Sequence, residues 1–84
     1  MFTVTEKAKK QLAQVLYDAA APQRKALRLM FVADSARMIL DEEQPDDLVI
    51  KYNEHSVLLL DRQVAKDLED KTLEAGQAGR LFFK

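Results

Sequence analysis

The side chains able to do chemistry are few. There is no cysteine, so no thiolate can act as a nucleophile, close a disulfide, or hold zinc or an iron–sulfur cluster. His55 is the single imidazole, and the only side chain that ordinarily titrates near neutral pH. It follows Asn53-Glu54 in a polar stretch, which reads as an exposed turn residue rather than as a general base or a ligand. Ser35 and Ser56 carry hydroxyls, but neither stands in a Gly-x-Ser-x-Gly setting. Gly76 and Gly79 are the only glycines, too few for a phosphate-binding loop or a dinucleotide fingerprint. The acids Asp41, Glu42, Glu43, Asp46 and Asp47 cluster, yet they lack the spacing and terminal Glu of a calcium loop and read as a solvated segment. The sequence therefore assigns no catalytic, cofactor-binding or metal-binding residue, and the expected class is not an enzyme.

The elements that must position these residues are legible from periodicity. Phe2-Thr3-Val4 alternates as a short edge strand, and Thr5 is a helix N-cap with Glu6 in the first turn. Ala8, Leu12, Val15, Leu16 and Ala19 share one helical face, and Pro22 is the expected stop. Residues 26–32 and 36–40 alternate as two strands about a turn at Ala33-Asp34-Ser35, with Leu27, Leu29 and Phe31 on one face. Arg28 and Arg37 lie in these two strands and can share a face as a site for an anion or a partner.

Residues 48–52 and 56–60 make a second hairpin. Its Val57-Leu58-Leu59-Leu60 run is apolar on both faces, which predicts burial on both sides under a helix or a second sheet. Asp61 caps a short helix over 62–68, with Val64, Ala65 and Leu68 facing inward. Residues 72–75 and 80–84 form a last hairpin. In its final strand Leu81 and Phe83 face one way and Phe82 the other, and Phe82 is a candidate interaction residue on an edge. Helices set apart from mostly antiparallel hairpins define an α+β fold over one domain, residues 1–84.

Composition bounds the partners. Thirteen Lys and Arg against fourteen Asp and Glu give a formal charge of −1, which supplies no long-range pull toward nucleic acid or an anionic membrane. No apolar run approaches the ~20 residues of a membrane helix. The first residues lack the apolar core of a signal peptide, so the cytoplasm is the expected compartment. A chain of 84 residues without disulfides has a modest core, and self-association or a protein partner would add to it.

The order of elements resembles the HesB-like family of A-type iron–sulfur carriers, also called the iron–sulfur biogenesis domain, over nearly the whole chain. Thr3-Val4-Thr5-Glu6-Lys7-Ala8 resembles the family's opening, and Ala26-Leu27-Arg28-Leu29 its first central strand. Asp47-Leu48-Val49-Ile50 and Val57-Leu58-Leu59-Leu60-Asp61 are similar to its second hairpin, Thr72-Leu73-Glu74 to its Thr-x-Leu-Asp strand, and Gly79-Arg80-Leu81-Phe82-Phe83-Lys84 to its Gly-Phe-x-Phe strand. The resemblance implies a pseudo-barrel or sandwich of hairpins with an N-terminal helix and a short second helix.

It also implies three cysteine ligands, and these are missing. The Gly-Cys-Ser-Gly turn of the family is replaced by Val32-Ala33-Asp34-Ser35-Ala36, and the Cys-Gly-Cys tail has no counterpart before Lys84. Asp and Ser do not replace soft thiolates. The reading is a cysteine-free, degenerate member, a binding or interaction module linked by analogy to iron–sulfur or iron metabolism. The alternative is a small-molecule or metal-ion sensor that reuses the family's cleft. Candidate interaction residues are Asp34 and Ser35, at the place of the first family cysteine, with Arg28, Arg37 and Phe82.

Overall fold

The computed structural model describes residues 1–84. The elements run β1 (Thr3–Val4), α1 (Glu6–Asp18), β2 (Lys25–Val32), β3 (Ser35–Glu42), β4 (Leu48–Tyr52), β5 (His55–Leu60), α2 (Arg62–Asp67), β6 (Thr72–Ala75) and β7 (Leu81–Phe83). They form two sheets, ordered β1-β6-β7 and β3-β2-β5-β4. This is the α+β fold expected from the sequence.

All three hairpins pair as expected, and each is antiparallel. The two larger ones join through a parallel contact, β2 against β5, with Leu27 opposite Leu58 and Arg28 opposite Leu59. Local alternation identifies strands but carries no signal for this long-range pairing. β1 lies parallel to β6 at one edge of the small sheet.

Both helices start where side-chain oxygens cap free backbone N–H groups. Thr5 Oγ1 accepts from the Ala8 amide at 3.2 Å, and Asp61 Oδ1 from the Val64 amide at 2.9 Å. Helix α1 ends earlier than Pro22 dictates. Ala20 enters the left-handed region at φ 52°, its N–H bonds Tyr17 O, and the Ala21 N–H reaches back to Leu16 O. These are the two bonds of a Schellman cap, with alanine where glycine is usual. The predicted inward stripe holds for Ala8 and Leu12, which are buried, and for the half-buried Leu16, but Val15 and Ala19 are exposed.

Leu58 and Leu60 of β5 join Leu27 and Leu29 of β2, Leu12 of α1, Val64 and Leu68 near α2, and Phe2, Val4 and Leu73 of the small sheet in one core. Leu59 lies on the opposite face and is equally buried. It borders a small cavity shared with Gln23 and Arg24, before β2, and with Glu42 and Glu43, at the end of β3. Of the paired phenylalanines, Phe83 turns inward, its ring centre 6.4 Å from those of Phe2 and Phe31, while Phe82 is 44% exposed.

An L-residue in the left-handed region costs roughly 1–2 kcal/mol. Part of that is recovered by the smaller entropy an alanine loses on folding. Ala20→Gly is therefore expected to stabilise the chain by about 0.5–1 kcal/mol, read as a higher urea midpoint with an unchanged slope. A lower midpoint would show that α1 does not end in this cap.

Candidate functional site

The β2–β3 hairpin gathers most of the residues singled out in the sequence. Its connection is two residues long, Ala33-Asp34, at φ 49° and 67°. Both positive values define a type I′ turn, the one whose twist suits a tight hairpin, and Asp tolerates the left-handed region better than most residues. Ser35 opens β3 as the partner of Val32 instead of belonging to the turn. Asp34 and Ser35 are both exposed at this tip.

Arg28 and Arg37 share one face, as alternation predicts, yet they do different things. Arg28 is only 9% exposed. Its Nε donates to Asp41 Oδ2 at 2.7 Å, Nη1 to Asp47 Oδ1 at 2.9 Å, and Nη2 to Asp47 Oδ2 at 2.6 Å and Glu42 O at 3.3 Å. The grip on Asp47 is bidentate, the strongest geometry for this pair. The Asp47 carboxylate, 3% exposed, also accepts from the Gln44 amide at 2.7 Å. The acidic segment is thus not simply solvated. Two of its five acids fold back onto Arg28, and the turn they hold lies on the far face of the sheet. Arg37 stands exposed, opposite Met30. Leu27 and Leu29 point to the face opposite Arg28, so alternation alone gives no signal that the arginine is buried against carboxylates.

Electrostatics follow from the geometry. The hydrogen bonds from Arg28 hold the Asp47 and Asp41 carboxyls below the usual carboxylate range, and Asp47 chiefly raises the guanidinium still further. Arg28 carries its charge at every accessible pH.

The hairpin also runs past the core. Val32 and Ile39, on the Arg28 face, are 51% and 46% exposed, and Phe31 and Leu40 on the opposite face are nearly as open. Alternation marks these residues as apolar but not as exposed, and the Phe83 ring gives Phe31 only a partial cover. Phe82 lies apart, on β7, its ring over Gly76 so closely that a Cβ there would stand 3.3 Å from Cε1. It does not join the hairpin cluster.

A groove of about 450 Å³ opens between the end of α1 and the β4–β5 turn, lined among others by Lys10, Tyr17, Lys25, Tyr52 and His55. His55 is exposed, opposite Tyr52, beyond a second type I′ turn at Asn53-Glu54. No three His, Asp or Glu side chains are gathered as a metal-holding group. No helix is long and apolar enough to cross a membrane.

No family model matches this sequence, and no curated protein matches it. Among solved structures the fold has clear counterparts. A protein from Aquifex aeolicus, solved by NMR, superposes with a TM-score of 0.67 at 18% identity, over 99% of this chain and 89% of that one. Escherichia coli SufA, involved in biosynthesis of iron-sulfur clusters, superposes with a TM-score of 0.64 at 20% identity, over 99% and 81%. The chain therefore has the HesB-like fold implied by the sequence resemblance.

Removing one partner of a buried ion pair strands the other charge. Asp47→Asn is expected to cost about 3 kcal/mol at neutral pH. Both carboxyls are depressed in the folded chain, so their contribution is whole above the ordinary value near 4 and fades as pH falls through the folded values. The gap between wild type and Asp47→Asn should accordingly narrow below pH ~4, read from urea midpoints across pH. A gap that stays constant with pH would mean the carboxylate charge is not what holds the loop.

Proposed function

We propose that this chain is a non-catalytic binding module that keeps a HesB-like fold without its thiolate chemistry. The observation that carries this reading is the β2–β3 hairpin, whose apolar side chains are exposed on both faces, Val32 and Ile39 on one and Phe31 and Leu40 on the other. Exposed apolar surface of this kind marks interaction sites in small soluble domains. The link to iron–sulfur or iron metabolism is supported by the shared fold with SufA alone, which is analogy of fold and not of site.

A second reading, a small-molecule sensor, is favoured by the groove, where two tyrosines, an imidazole and two lysines meet on an apolar floor that includes Leu16 and Val57. One experiment separates the two. Wild type and Ile39→Asp are expressed in the native host, purified gently and weighed by native mass spectrometry. Wild type is expected to carry a stoichiometric protein partner, or a second copy, that Ile39→Asp loses while keeping the wild-type melting temperature. Equal retention by both, or a bound small molecule with no protein, would overturn the hairpin reading.

Without thiolate ligands the chain is expected to hold no cluster by itself. After anaerobic incubation with iron and sulfide and desalting, no charge-transfer absorbance is expected on the protein. A brown protein with stoichiometric iron and sulfide would refute it.

A further inference from the structure

The outer edge of β3 is a free strand edge at the end of the four-stranded sheet, and β2 is its only partner. Its backbone geometry fixes which groups are free. A two-residue type I′ turn makes Val32 and Ser35 a hydrogen-bonded pair, and such pairs alternate along an antiparallel ladder. Met30–Arg37, Arg28–Ile39 and Ala26–Asp41 are then hydrogen-bonded pairs as well. The N–H and C=O groups of Arg37, Ile39 and Asp41 therefore face β2, and those of Ala36, Met38 and Leu40 face outward. Glu42 is already engaged, its N–H to Asp41 Oδ1 at 2.8 Å and its carbonyl to Arg28.

An outward edge is a template for another strand, and proteins usually block it with charge. Here the charges are of opposite sign and placed two residues either side of Ile39, Arg37 before it and Asp41 after it. An antiparallel copy of the same strand can bond through Ala36, Met38 and Leu40, which allows two-fold centres on Arg37, Met38, Ile39 or Leu40, and the side chains choose among them. Centred on Arg37, the two arginines face each other. Centred on Met38, Arg37 faces an isoleucine. Centred on Leu40, Asp41 faces an isoleucine. Centred on Ile39, each Arg37 faces the other copy's Asp41, each Met38 bonds with the other copy's Leu40, and the two Ile39 side chains meet. Asp41 is 38% exposed and retains acceptor capacity beyond Arg28 and the Glu42 amide.

We propose that the β3 edge pairs with the β3 edge of a second copy, antiparallel and centred on Ile39, joining the two four-stranded sheets into one. This deepens the binding-module reading and rests on it, with the partner named as this chain itself. The pairing is isologous, so it closes as a dimer and does not grow into a fibre.

The absence of cysteine makes the test clean. Single cysteines are placed at Arg37, Met38, Ile39 and Leu40 in turn, and each protein is oxidised mildly at high concentration. At the proposed centre the Ile39 Cα atoms lie about 4.5 Å apart, inside disulfide range. The same residue in two copies is about 8 Å or more apart at the other three positions, outside that range. Ile39→Cys alone is expected to give the covalent dimer. Arg37→Glu, which sets like charges opposite each other twice, is expected to weaken the dimer about tenfold in sedimentation equilibrium, with an unchanged melting temperature at low concentration. Equal cross-linking at all four positions, or preferred cross-linking at Arg37, Met38 or Leu40, would overturn the register and with it the proposal. A wild-type chain that stays monomeric yet retains a foreign protein that Ile39→Asp loses overturns the self-pairing and leaves the binding-module reading standing. A monomer that retains nothing overturns both.

Discussion

The structure depends on burying both faces of β5. Val57 to Leu60 are all but inaccessible, and β5 sits second from one edge, joined in parallel to β2. A strand with both faces apolar must be covered twice. The chain has helices enough for one side only, where α1, α2 and the small sheet close over Leu58 and Leu60. On the other side Leu59 borders polar residues, Gln23 and Arg24 before β2 and Glu42 and Glu43 at the end of β3, and an acidic segment has no apolar reason to lie down there. Arg28 supplies a reason. It rises from the far face of β2 and takes hold of Asp41 and Asp47 from both ends of the acidic segment. The ion pair thus stands in for a missing layer of secondary structure.

That arrangement explains what the sequence could and could not disclose. The hairpins, the two capped helices and the inward Leu27 and Leu29 follow from alternation and capping, because these are local signals. The end of α1 is not legible in the sequence, because Pro22 is a visible stop, whereas Ala20 in a left-handed cap carries no residue signature. The parallel β2–β5 contact and the Arg28–Asp47 grip span long separations, where pattern gives no register. The acidic segment looked solvated because charge is read as exposure. At the candidate site, alternation placed Arg28 and Arg37 on one face correctly, but not that one is buried and the other open.

The comparison with SufA separates scaffold from chemistry. Two chains at 20% identity reach the same arrangement because the constraints on it are generic: alternating strands, capped helices and one shared core. A reactive side chain is not among those constraints. The turn where the resemblance implies a ligand is here a two-residue connection carrying Ala33 and Asp34. Such a turn needs tolerance of the left-handed region, not reactivity. The fold persists where that chemistry has no residues to perform it.

The small sheet has one more property. Thr3 lies beside Thr72 on one side of β6, and Lys84 exchanges two backbone hydrogen bonds with Thr72 on the other. Residues 3 and 84 therefore leave the domain at the same end of one sheet, about two strand spacings apart, close to 10 Å. A force applied across these points acts perpendicular to the strands and opens the ladder one bond at a time, starting at Thr72. Loads of that direction peel a sheet, whereas loads along the strands must shear every bond together. The domain is consequently soft to traction between its ends, and the same closeness lets it be spliced into a surface loop of another protein with little distortion of its host.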